Sequence, residues 1–229
     1  MKLSPTISTK SLFSDVELTL LTEIILKNSK ITVDRGQFYN DAVGIGRDFN
    51  KLIAEWYDID FDDHDELKKN ILPKLNQAIG YEIIVQDLHM LTSYRPYMLH
   101  SDVTSIRGIT RKEFKDCEPE YTIIIPLETC DSCTVVFNET HATSNNFEIF
   151  KKEYTGNLTL RLDKNLVLER LTHLHPKDLL YLSLHALQPW NAGDMFAIDR
   201  RYFHCSDNFL KRNVDCKKSI VIRTVRKII

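Results

Sequence analysis

No hydrophobic run in this chain approaches the roughly 18 residues that a bilayer-spanning helix needs, which argues against a helical membrane protein. A charged segment followed by an apolar stretch is also missing at the start, so the expectation is a soluble, cytoplasmic protein without a membrane role. Neither sign of charge dominates. The chain has 30 Lys and Arg against 32 Asp and Glu, a net of −2, and no global field gathers nucleic acid or an anionic membrane. Five cysteines read as reduced thiols rather than a disulfide framework. Internal repeats, low-complexity tracts and a convincing hydrolase motif are absent. Gly44-Ile45-Gly46 lacks the strand and helix around it that a nucleotide fingerprint requires. Cys130-Asp131-Ser132-Cys133 lacks the second ligand pair of a zinc site, and it reads as a plain hairpin turn.

What is present is an ordinary globular balance, 43% apolar and 27% charged, in 229 residues. That length suits one domain with an elaborated core, or a domain plus a helical annex. Residues 1–80 read as helical support. Ser14 and Glu17 form a capping pair, followed by Leu18, Leu21, Ile24 and Ile25 on one face. A second helix is expected over about Asp41–Trp56, and a third from the acidic residues near Asp62 to Gly80, with Pro73 a possible kink. Residues 81–229 change character. Tyr81–Leu91, Tyr121–Leu127, Thr134–Phe137, Asp194–Ile198 and Ser219–Val225 are short Ile-, Val-, Tyr- and Phe-rich runs that predict an antiparallel β-sandwich or barrel. An insertion at about 139–190 carries an expected helix over Pro176–Leu184.

Two imidazoles and a carboxylate on one face of an octahedron suit Fe(II) and leave positions for a cosubstrate and O2. In an extended segment residues i and i+2 point the same way, so His100 and Asp102 can address one ion. His204, beyond the turn and apolar strand Gly193–Ile198, is placed to bring a third donor. His64-Asp65-Glu66 is a competing His-x-carboxylate, but its acids have a sufficient role at a helix start.

The ordered combination carries more information than the triplet. It runs Tyr94-Arg95-Pro96-Tyr97-Met98-Leu99-His100-Ser101-Asp102, then Tyr121–Glu128, Thr134–Phe137, Gly193-Asp194-Met195-Phe196 and His204-Cys205-Ser206-Asp207-Asn208-Phe209. In this order the sequence resembles the 2-oxoglutarate/Fe(II)-dependent dioxygenase superfamily, in its prolyl-hydroxylase-like and phytanoyl-hydroxylase-like branch, over about Tyr94 to Val225. The resemblance implies a mainly β fold with a double-stranded β-helix core, jelly-roll and cupin-like, beneath the helical N-terminal layer. It implies His100, Asp102 and His204 as metal ligands and catalytic centre, with Fe(II), 2-oxoglutarate and O2 as the reagents. Succinate and CO2 would be released as a substrate is hydroxylated.

The resemblance also asks for a cation, with a hydroxyl two residues later, on the strand after the distal His. Lys217 and Ser219 fit, and Arg223 on the same face is the alternative. Tyr97 or Tyr94 could add a hydroxyl. Arg95, Arg107, Arg111 and Arg200 are candidate substrate clamps, whereas His173, His175 and His185 read as surface or capping residues. The substrate is expected to be a small metabolite or a protein side chain, and the sequence leaves the oligomeric state open. A basic tail of Lys211, Arg212, Lys217, Lys218, Arg223, Arg226 and Lys227 raises an oxidative nucleic-acid demethylase as an alternative, disfavoured by the absence of interleaved aromatics. A non-catalytic β-barrel binding protein is the remaining one.

Overall fold

The computed structural model describes residues 3–35, 52–103, 114, 116–141 and 146–228. The chain order is β1 (Ile7–Thr9), α1 (Asp15–Asn28), β2 (Lys30–Arg35), β3 (Leu52–Ile59), α2 (Asp65–Ile79) and β4 (Ile84–Ser93). Then come β5 (Cys117–Pro126), β6 (Cys133–Thr140), α3 (Phe147–Glu153), α4 (Lys164–Arg170), β7 (Leu184–Pro189), β8 (Met195–Asp199), β9 (Tyr202–Ser206) and β10 (Lys217–Lys227). Two antiparallel sheets result. The larger has the order β1-β8-β5-β10-β4-β3-β2 and the smaller β7-β6-β9, consistent with a jelly roll.

Strand alternation divides the large sheet into two working faces. Leu88, Met90, Ile123, Ile125, Ile220 and Ile222 turn one way and join the core with Leu18, Leu21, Ile25, Leu67, Ile71 and Leu75 of α1 and α2. The residues between them, Leu91, Thr122, Ile124, Ser219 and Val221, turn toward the small sheet and line a cleft. On the small sheet Val135, Phe137, Phe203 and Cys205 pack outward on the insertion, against Leu162, Leu166, Leu171, Leu174, Leu179 and Leu182. Val136 instead joins Ile124, Trp190, Phe196, Ile198 and Tyr202 between the sheets.

The helices with clear terminal signals form where expected. Ser14 and Glu17 close a full capping box at α1. Gly80 ends α2 at φ 93°, the left-handed conformation that glycine adopts without penalty. The second helix expected in the N-terminal layer is corrected, however. Residues 30–35 and 52–59 are strands that extend the large sheet through β3–β4 pairing. Leu52–Trp56 is therefore strand rather than helix, and the rest of the expected second helix lies outside the described residues. Ile53 and Trp56 suit either period, and pairing with β4 decides the outcome.

Two further expectations change. Cys130–Cys133 is not a hairpin turn, because β5 and β6 belong to different sheets and the segment crosses between them. The helix expected over Pro176–Leu184 shrinks to a single tight turn at Asp178–Tyr181, and Leu184 opens β7. No described helix is long and apolar enough to cross a membrane.

Candidate metal centre and cosubstrate cleft

His100 lies beyond β4 and His204 lies within β9, and the main chain joins them directly. The His100 amide donates to the His204 carbonyl at 3.1 Å, and the His204 amide returns a bond to the His100 carbonyl at 2.8 Å. Each ring is also anchored through Nδ1 to a carbonyl two residues upstream. His100 meets Met98 at 2.7 Å, and His204 meets Tyr202 at 3.1 Å. Donation from Nδ1 leaves Nε2 as the free lone pair on both rings, the tautomer a metal ligand requires.

Asp102 completes the group, and one ligand atom from each of His100, Asp102 and His204 lies within 4.8 Å of the others. Thr122 Oγ1 donates to Asp102 Oδ2 at 2.6 Å, and the same oxygen is 3.5 Å from His204 Nε2. On the other side, Arg223 Nε faces Oδ1 at 3.6 Å. Burial works against the carboxylate. Arg223, His204, His100 and the Thr122 bond overcome it, holding the carboxyl well below the usual range. Burial, reinforced by His100, brings His204 down to about 4 against the pull of Asp102, so its imidazole is neutral near pH 7. The donor set is two imidazoles and one carboxylate with no thiolate, and it fits a divalent first-row metal such as Fe(II).

Farther into the cleft Lys217 is 3% exposed. Its Nζ donates to Ser206 Oγ at 2.9 Å and to the Cys133 carbonyl at 3.3 Å, and it lies 3.7 Å from the centre of the Trp190 ring. Among the described residues no carboxylate approaches Lys217 within ion-pair distance. Burial lowers its pKa to about 8, with Asp207 the largest opposing influence. Ser219, Ser206 and Thr134 line the cleft beside it, and the indole N–H of Trp190 is buried without a hydrogen-bond partner. A buried cation amid hydroxyls is a fitting receptor for a carboxylate.

The remaining candidates divide sharply. Arg223 and Tyr97 line the cleft. Tyr94 does not, because its hydroxyl donates to Glu55 at 2.9 Å. Arg200 is fully buried rather than poised as a substrate clamp. Its Nε and Nη2 bracket the Asp102 carbonyl at 3.2 and 2.8 Å, and its Nη1 reaches Gln86 and the Thr224 carbonyl. Arg95 is not among the cleft-lining residues, while Arg107 and Arg111 lie outside the described residues. His173 proves to be buried, at 2% exposure. His175 accepts the Lys177 amide, and His185 stacks on Tyr202. Thr122, Thr134, Trp190 and Ser206 also line the cleft without having been singled out in the sequence; the alternation of Thr122 and Ile124 about Ile123 is a signal that could have marked the first of them.

No protein-family model matches the chain, and no curated protein does. Solved structures do resemble it. The non-haem α-ketoglutarate-dependent epimerase SnoN from nogalamycin biosynthesis matches with a TM-score of 0.55 at 11% identity, over 96% of this chain and 77% of that one. The carbocyclase SnoK of the same biosynthesis matches at 0.54 and 14% identity, over 96% and 79%. HygX from Streptomyces hygroscopicus, with nickel and 2-oxoglutarate bound, matches at 0.51 and 11%, over 96% and 82%. The chain has the fold of the 2-oxoglutarate-dependent non-haem iron enzymes.

Proposed function

We propose that this chain is a 2-oxoglutarate- and Fe(II)-dependent oxygenase that hydroxylates its substrate. The observation that carries the reading is the pairing of a His-Asp-His cluster with a buried ammonium, Lys217, that has no carboxylate partner among the described residues. His100, Asp102 and His204 would hold the iron. Lys217, with Ser219 and Ser206, would take the distal carboxylate of the keto acid, which makes Lys217 a better receptor than Arg223, already paired with Asp87 at 3.1 Å. Iron, keto acid and O2 together supply the oxidising chemistry and release succinate and CO2. The chain's own part is to orient the ligands and balance the charge of the dicarboxylate.

A small-molecule substrate is favoured over a protein side chain, because SnoN and SnoK serve natural-product biosynthesis. The nucleic-acid alternative loses support from the tail. Lys217 and Arg223 turn into the cleft, Arg212 pairs with Asp131 and Arg226 pairs with Glu118. The test is anaerobic titration of the Fe(II)-loaded protein with 2-oxoglutarate, followed by O2 and measurement of succinate. Metal-dependent binding and slow succinate formation without a prime substrate are expected, both lost in Asp102→Ala. Absence of metal-dependent binding in the wild type overturns the reading in favour of a non-catalytic binding protein.

A further inference from the structure

The two oxygens of Asp102 are held by residues that face each other across neighbouring strands. Arg223 of β10 pairs in register with Thr122 of β5 on one side and with Asp87 of β4 on the other. Thr122 donates to Oδ2, and Arg223 Nε faces Oδ1. Arg223 is fixed in turn by Asp87, at 3.1 Å from Nη1, and its guanidinium lies 6.0 Å from the centre of the Trp56 ring. The register of β10 shifts just past Arg223 on both of its neighbours, the kind of bulge that re-aims a side chain beside a site. Arg223 Nε is buried and makes no hydrogen bond, because 3.6 Å is too long for one.

We propose that Arg223 is a positioning residue that reserves Oδ1 of Asp102, so that the carboxylate meets the metal through Oδ2 alone. A carboxylate free to swing would offer both oxygens to one ion and fill a position the keto acid needs. A guanidinium fixed at Oδ1 opposes that swing by charge and by place. The inference rests on the metal site proposed above and goes beyond it, since it assigns Arg223 a task at the carboxylate rather than at the cosubstrate.

Mn(II) is the probe, because water-proton relaxation of the protein·Mn(II) complex reports how many exchangeable waters the ion keeps. With three protein ligands on a six-coordinate ion, Arg223→Gln should lower that relaxivity by about a third as Oδ1 displaces one water. Asp87→Asn, which leaves Arg223 in place but loosens it, should shift relaxivity the same way by less, and it carries the test if Arg223→Gln fails to fold. Both 2-oxoglutarate and pyruvate should bind the Mn(II)-loaded Arg223→Gln protein about tenfold more weakly. Unchanged relaxivity in both variants overturns the proposal. So does selective loss of 2-oxoglutarate with pyruvate unaffected, which would put Arg223 on the distal carboxylate. Failure of the wild type to bind Mn(II) would instead remove the metal-site reading, and this inference with it.

Discussion

His100 and His204 exchange two main-chain hydrogen bonds, at 3.1 and 2.8 Å, and their rings lie with centroids 4.4 Å apart. The pairing that closes the candidate metal site is therefore a property of the backbone, and the side chains are carried on it. Replacing either imidazole should leave the pairing intact. His100→Ala or His204→Ala removes one Nδ1 bond, a loss of about 1–3 kcal/mol because a carbonyl is left unsatisfied. Each variant should remain folded in a thermal melt yet fail to form succinate from 2-oxoglutarate. Full turnover in either one would sink the site assignment.

Gly193 connects the cleft strands to the N-terminal segment. Its φ is +75°, and a Cβ placed there would lie 2.0 Å from the Phe13 carbonyl oxygen. The same carbonyl region is tied down by the Phe13 amide, which donates to the Gly193 carbonyl at 3.1 Å. Gly193→Ala should therefore destabilise the protein by well over the ~1 kcal/mol of an ordinary glycine substitution, since strain and collision combine. Chemical denaturation gives the measurement. A midpoint equal to that of the wild type would show that residues 13 and 193 are not in this contact.

The His100, Asp102 and His204 cluster was legible because it depends on spacing. An i, i+2 pair in an extended segment, and the alternation of Lys217 and Ser219 in a strand, are fixed by local geometry. The cleft face of β10 follows from the same rule. The N-terminal strands were not legible, since Leu52, Ile53 and Trp56 satisfy a helical period as well as a strand, and only pairing with β4 separates them. Arg200 and His173 were unreadable for a different reason. Their burial depends on distant partners, Gln86 and Thr224 for Arg200 and the main chain near Tyr97 and Ser206 for His173. A hairpin between β5 and β6 was the economical reading of a short connection, but nothing local says that a chain changes sheets there.

Arg200 supplies a prediction about stability rather than chemistry. It is 0% exposed and bonds to the Asp102 carbonyl, Gln86 and the Thr224 carbonyl. Arg200→Met keeps much of the volume but orphans those acceptors, and a loss of about 3–5 kcal/mol is expected, the scale for breaking a buried charged contact. Metal affinity should fall with it, because the backbone that presents Asp102 loses its bracket. Arg200→Met with unchanged stability and weakened substrate binding would return Arg200 to the substrate-clamp role.

Lys217 sets a pH dependence with a definite sign. Burial lowers its pKa to about 8, so the ammonium is present below that value and lost above it. If only the charged form receives the distal carboxylate, the affinity for 2-oxoglutarate is level below pH 8. Above it, affinity should weaken by about tenfold per pH unit, one proton being lost per binding-competent site. Lys217→Arg, whose cation does not titrate in this range, should bind with a flat profile to higher pH. Lys217→Met should bind weakly at every pH, and its affinity for pyruvate, which lacks the distal carboxylate, should match the wild type. Anaerobic titrations of the metal-loaded proteins between pH 6.5 and 9.5, about 1.5 units either side of the shifted pKa, measure all three curves. A wild-type curve that stays flat through this range would remove Lys217 from the cosubstrate site and return Arg223, which remains charged throughout, as the receptor for the carboxylate.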